Sequence, residues 1–206
     1  MRYWKMKSLT ENHKVGMVVA TYDQTDCLQS LIGSLKTQTW RNFSVIVSHD
    51  GPASHEVKSA FKAVAGNDSR FVLEETSERK NQFGHDRRYP GFTKLIAAGC
   101  DMLCTTNGDC WYTPNYFESM LYQMQKDSSK LSYCNMIHSH KMWAPLKTEM
   151  ARGKIDVGCW MAHKDLISKI TWTDFSFAGD WSFIHKLHKV SEARHSKVDS
   201  YLYVHN

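Results

Sequence analysis

An α/β fold, with a mostly parallel central sheet flanked by helices, is predicted by three features of this 206-residue chain. Short, continuous apolar runs alternate with stretches whose apolar residues recur at helical spacing. The runs lack the polar alternation of a half-exposed strand, as expected for strands covered on both faces. Polar clusters then follow three of them, at Thr21, Tyr22 and Asp23, at His49 and Asp50, and at Asn107, Gly108 and Asp109. In a parallel sheet, ligands gather at those carboxyl ends.

The elements follow in order. Residues 15–20 (VGMVVA) read as the first strand. Asp23, Gln24, Thr25 and Asp26 form a helix start, and Leu28, Leu31, Ile32 and Leu35 fall at i, i+3, i+4 and i+7, one apolar stripe. Residues 43–47 are the second strand, ending at His49-Asp50-Gly51-Pro52. A helix from Ser54 carries Val57, Ala60, Phe61 and Val64 on one face, and residues 70–74 are a third strand. This β-α-β-α-β order is that of a parallel sheet. Residues 81–91, with two glycines and a proline, read as a loop bearing Arg87 and Arg88, followed by a short helix over 92–98. A strand over 101–106 precedes Asn107. Thr113-Pro114 starts a helix with Phe117, Met120, Leu121 and Met124 inward. Strands are expected at 131–138 and 155–161 and a short helix at 165–170. Asp180 opens a helix with Phe183, Ile184, Leu187 and Val190 inward, and 201–204 is a terminal strand.

Composition narrows the function. The length suits one domain with a core that needs no disulfides, and 42% hydrophobic with 23% charged residues is globular. A net charge of +5, scattered rather than clustered, suits an anionic ligand but not nucleic-acid binding. The six cysteines form no Cys-x-x-Cys pair, which argues against a zinc ribbon, and reduced, buried thiols are expected. The first seven residues lack the apolar core of a signal peptide, and no apolar run is long enough to span a bilayer. The expected location is cytoplasmic.

Several residues can carry chemistry. Asn107 and Asp109, oxygen-bearing side chains flanking Gly108, can hold a hard divalent cation such as Mn2+ or Mg2+; Asn-Gly is also an ordinary turn dipeptide. Asp180 at a helix N-terminus is favoured in its ionised form and can take a proton from a hydroxyl, or can simply cap the helix. Tyr22 can stack on a nucleobase while Asp50 accepts the imide N–H of uracil, and Arg87 and Arg88 can bind phosphate. The pairs His138 and His140, and His185 and His188, have spacings that serve either a metal or a surface. Trp143, Trp160, Trp172 and Trp181 can stack on a sugar or pack in the core.

With these motifs in order, the chain resembles family 2-type inverting glycosyltransferases with the GT-A fold over nearly its whole length. Ala20-Thr21-Tyr22-Asp23 is similar to that family's Pro-Thr-Tyr-Asn. The stretch from Gln38-Thr39-Trp40 through Val45-Ile46-Val47-Ser48-His49-Asp50-Gly51 resembles its Gln-Thr-Tyr and Asp-Asp-Gly-Ser phrases. Asn107-Gly108-Asp109 resembles its Asp-x-Asp, and Gly179-Asp180-Trp181 its Glu-Asp motif. A fainter similarity runs to small glycosyltransferases encoded by large viruses of algae. The resemblance implies a single catalytic domain over 1–206, with a nucleotide-binding half (1–110) and an acceptor and base half (111–206), and leaves room for a further domain beyond. It implies hexose transfer from a nucleotide sugar, UDP-hexose first, to a hydroxyl on a glycan or glycoconjugate. Thr21, Tyr22, Asp50, Arg87, Arg88, Asn107 and Gly108 would bind the nucleotide, Asp109 and His205 the metal, and Asp180 would be the catalytic base. Asn107 and His49 each replace an acid of the family pattern, which keeps open a module that binds a nucleotide sugar without transferring it. No glycine cluster follows the first strand, which argues against a nucleotidyltransferase and a dinucleotide dehydrogenase.

Overall fold

The computed structural model describes residues 12–206; residues 1–7, read above for a signal peptide, lie outside that range. Its elements are β1 (Val15–Thr21), α1 (Thr25–Lys36), β2 (Phe43–His49), α2 (His55–Ala65), β3 (Phe71–Glu75), α3 (His85–Ala97), β4 (Met102–Asn107), β5 (Cys110–Tyr112), α4 (Tyr116–Asp127), β6 (Leu131–His138), β7 (Ala144–Leu146), β8 (Trp160–His163), α5 (Lys164–Ile167), α6 (Gly179–Val190) and β9 (Ser196–His205). The strands form one sheet in the order β3-β2-β1-β4-β8-β6-β9-β5, with β7 on β6. The first four are parallel; from β8 onward pairing is antiparallel except between β6 and β9.

Period-two alternation in β1 divides the core. Val15, Met17 and Val19 face α1, α2 and α4, whose stripes Leu28, Leu31, Ile32 and Leu35, then Val57, then Phe117, Met120, Leu121 and Met124, pack against them. Val18 faces the other way, onto Phe92 and Leu95 of α3, Leu166 and Ile167 of α5, and Phe183, Ile184 and Leu187 of α6. The stripes expected for α1, α4 and α6 are therefore the ones buried, except that Val190 is half-buried. Ser54 caps α2, its hydroxyl accepting from the Val57 amide.

Two expectations need correction. The loop expected over 81–91 ends at Gly84; α3 begins at His85 and runs through Pro90, so Arg87 and Arg88 are helical. Tertiary packing overrides the Pro-Gly signal. A Cβ on Gly91 would fall 2.7 Å from Val18, so the glycine lets the helix lie close against β1. The strand expected over 155–161 starts only at Trp160, because Val157–Cys159 is a turn of 3-10 helix opened by the Asp156 side chain, which accepts from the Gly158 amide. The short strands β5 and β7 gave no periodic signal. All six cysteines are free thiols, five of them buried.

Candidate active site

The carboxyl ends of β1, β2 and β4 open into a cavity of about 330 Å3, lined by Thr21, Tyr22, Gln24, Asp50, Arg79, Phe83, Gly84, Asn107 and Asp109. A second cavity of about 510 Å3 adjoins it across Phe83 and Asn107 and reaches His85, His138, Arg152, Asp156, Asp180, Trp181 and His205. Of the residues expected at the site, Thr21, Tyr22, Asp50, Asn107, Asp109, Asp180 and His205 line these two adjoining hollows, while Arg88 is buried behind them and Gly108 lies in the turn between Asn107 and Asp109. Arg87 stands apart: its guanidinium pairs with Asp86, and it lines a separate depression with Glu74 and Lys94.

The first cavity is built at strand ends. The Gly108 amide donates to the Ala20 carbonyl (2.9 Å), tying the turn after β4 to the end of β1. The need for glycine there is close approach, since a Cβ would fall 2.4 Å from Thr21 Oγ1. His49 is fully buried; its Nδ1–H donates to the Gly51 carbonyl (2.9 Å), which leaves Nε2 to accept the Asp23 amide (3.2 Å). The histidine that replaces the family's acid is therefore a buried strut beneath Tyr22. Asp50 is already engaged: its two carboxylate oxygens accept the amides of Lys80 (2.9 Å) and Asn81 (2.8 Å) and so pin the segment after β3. A carboxylate has lone pairs left for a further donor. Tyr22 is 38% exposed, and the Arg79 guanidinium covers its ring at 3.5 Å from the centroid.

At the junction of the cavities Arg88, fully buried, reaches three groups. It donates to Asn107 Oδ1 (2.5 Å), to His85 Nδ1 (2.5 Å) and to the Phe83 carbonyl (3.1 Å). Its Nη1 also lies 3.6 Å from Asp180 Oδ1, an oxygen with no hydrogen bond among the described residues. Since His85 Nδ1 accepts, its proton is on Nε2, which donates to the Ser176 carbonyl (3.0 Å). Burial, then the Arg88 charge, push the His85 pKa down to about 4, so the ring is neutral and its 3.4 Å approach to Asp180 is no ion pair. Asp180 moves the other way. Burial raises its carboxyl to about 6 against the pull of Arg88, while Asp156 adds to the rise. The N-terminus of α6 favours the ionised form, yet desolvation outweighs it. A carboxyl poised near neutrality at the wall of a cleft is suited to moving a proton.

Pairing of β5 with β9 sets Cys110 opposite His205. This brings the ligand atoms of Asp109, Cys110 and His205 within 4.8 Å of one another. Asp109 and His205 thus fit a divalent cation by donor type and spacing. The Cys110 thiol, pushed well up by burial, points less to such a role. Asn107 offers less than an aspartate would, because its amide oxygen is taken by Arg88. Of the tryptophans, Trp160 and Trp172 are core, while Trp181 borders the second cavity and Trp143 is exposed beside Trp111.

The sequence reading missed Arg79, Gln24, His85 and Asp156. No motif marks them; only the fold brings them to the cleft. His138 carried a signal, its spacing from His140, which serves a surface histidine equally well.

Comparison with known proteins identifies the family and the fold. Residues 17–184 match the family described as Glycosyl transferase family 2. The chain is 29% identical over 125 residues to the putative glycosyltransferase EpsH of Bacillus subtilis (strain 168), covering 61% of this chain and 34% of that protein. It therefore spans about a third of the length of that relative. Among solved structures it is similar to S. aureus TarS (TM-score 0.76, 13% identity, 94% of this chain and 36% of that one). It is similar also to TarS 1–349 in complex with UDP-GlcNAc (TM-score 0.72, 15% identity, 94% and 58%). A third is the mannosyltransferase PcManGT of Pyrobaculum calidifontis in complex with GDP-Man and Mn2+ (TM-score 0.66, 12% identity, 97% and 58%). With the family matched over residues 17–184 and the overall fold shared with these GT-A structures, the chain belongs to glycosyl transferase family 2.

Proposed function

We propose that the chain is an inverting hexosyltransferase that takes its sugar from a nucleotide sugar, UDP-hexose first, and passes it to an acceptor hydroxyl on a glycan or glycoconjugate. The observation that carries this reading is Asp180: a desolvated carboxyl with a pKa near 6, at the wall of a second cavity that opens onto the Tyr22, Asp50 and Asp109 cleft. The UDP and UDP-GlcNAc complexes of TarS 1–349 support a uridine donor.

In this reading the first cavity takes the nucleotide. Tyr22 offers its ring face to the base, and Asp50, held in place by two backbone amides, offers a remaining lone pair to an imide N–H. Arg88 places positive charge at the junction, beside the position of the diphosphate. Asp109 and His205 would hold a Mn2+ or Mg2+ ion, which would supply positive charge against the negative charge that grows on the departing diphosphate. The second cavity takes the acceptor, with Asp180 accepting the proton of the attacking hydroxyl.

Calorimetric titration of UDP, GDP and CMP, each with and without Mn2+, tests the donor half: UDP should bind tightest and bind tighter with Mn2+. Equal affinity for the three would overturn the uridine assignment. Donor turnover tests the rest, because a chain that binds UDP-sugars yet neither hydrolyses nor transfers them is a binding module. The loss of one acid at Asn107 favours that rival.

A further inference from the structure

We infer that His138, Asp156 and His205 form a cation site of their own, with two nitrogens and one oxygen, which takes a borderline ion such as Zn2+ or Co2+ in preference to Mg2+. The site shares His205 with the Asp109 position, and to that extent rests on the reading above. Its three ligand atoms lie within 4.8 Å of one another. His138 Nε2 is 2.9 Å and Asp156 Oδ2 3.6 Å from His205 Nδ1. Bonds of about 2.0–2.1 Å from a Zn2+ ion set neighbouring ligand atoms about 3.0–3.4 Å apart, so the triad needs only small adjustments to close on one ion.

The surroundings prepare these atoms for that use. Parallel pairing of β6 with β9 sets His138 directly opposite His205, so the two imidazoles are fixed by sheet register rather than by flexible loops. Asp156 is oriented from behind: its Oδ1 accepts from the Tyr203 hydroxyl (2.7 Å) and the Gly158 amide (3.1 Å), which leaves Oδ2 toward the histidines. Such outer contacts fix ligand geometry in metal centres. Gly158 leaves no slack, since a Cβ there would fall 2.2 Å from the Tyr203 ring. The triad lines the second cavity, which gives an ion a way in.

One rearrangement is required. The His140 amide donates to His138 Nδ1 at 3.2 Å, which places the His138 proton on Nε2, between the two rings. A cation takes the place of that proton, which moves through solvent to Nδ1 at the expense of the long contact from His140. The set holds more imidazole than a diphosphate-bound Mg2+ requires, and imidazole favours Zn2+ and Co2+.

Titration of Co2+ into the whole chain without nucleotide, read by its visible d–d absorption, tests the assignment. One ion should bind per chain; Zn2+ should displace it and Mg2+ should not. His138→Ala and Asp156→Asn should each weaken binding by more than about tenfold, and Asp109→Asn by less than about twofold. His138→Gln serves as a second variant of similar shape, with circular dichroism to confirm that each variant is folded. Unchanged Co2+ affinity in the folded His138 variants would overturn the inference, as would a loss in Asp109→Asn as large as in His138→Ala. Failure of UDP to bind under any condition would sink the donor reading alone and leave this result standing.

Discussion

Asp180 and His85 have their ordinary protonation behaviour shifted in opposite directions by the same burial. Asp180 titrates near 6, so kcat/KM should rise as pH climbs through about 6 and then level off, measured with a saturating cation. Asp180→Asn should retain UDP binding while transfer falls by about 10²- to 10⁴-fold; retained turnover would remove the base assignment. At Gly108, a Cβ would meet Thr21 Oγ1 at 2.4 Å, and Gly108→Ala should cost about 1–3 kcal/mol in urea unfolding. These roles were unevenly legible. Asp109 and Asp180 stood out because short acidic motifs after a strand or at a helix start are recognisable in a sequence. The part Asp50 plays in pinning the amides of Lys80 and Asn81 depends on where a distant loop returns, and nothing local announces it.

Among the elements, α1 shows what periodicity reads well. Leu28, Leu31, Ile32 and Leu35 are fully buried in the positions their spacing implied. Leu31→Ala should destabilise by about 2–5 kcal/mol, seen as a lower urea midpoint with unchanged slope. Helix α3 shows the opposite case. Its sequence offers a proline and a glycine where a helix should have neither, and the local signal stops it at Phe92. The structure carries it back to His85 because Arg88 and Gly91 are held by contacts outside the helix, to Asn107 and against Val18. Strand β5 has three residues, too short for any period to register, yet its pairing with β9 brings His205 to Asp109. The meeting of these two could be anticipated only by resemblance to a family.

For the molecule as a whole, the two shifted groups have opposite linkages to stability. His85, depressed to about 4 from 6.5, contributes stability above pH 6.5 that is lost as pH falls through 4, because the unfolded chain then binds the extra proton. Asp180, raised from 3.8 to about 6, contributes stability below pH 3.8 that is lost as pH rises through 6. Between pH 4 and 6 the two trends oppose each other. Asp180→Asn removes one of them, so its unfolding midpoint should fall more steeply than the wild type's as pH drops from 6.5 to 4; parallel curves would refute the coupling. The layered architecture at this scale was legible from the alternation of strands and helices. The antiparallel half was not, because strands beyond β4 leave the β-α-β rhythm and their order follows from long-range pairing.

On the proposed function, the guanidinium lying on Tyr22 turns donor entry into a swap. A nucleobase that takes the ring face the cation covers must evict it, and the heat measured in a titration is then the difference between two occupancies. Arg79→Ala therefore reads the tenant's role from the sign of its effect: tighter nucleotide binding marks a placeholder, weaker binding a clamp that closes over the guest.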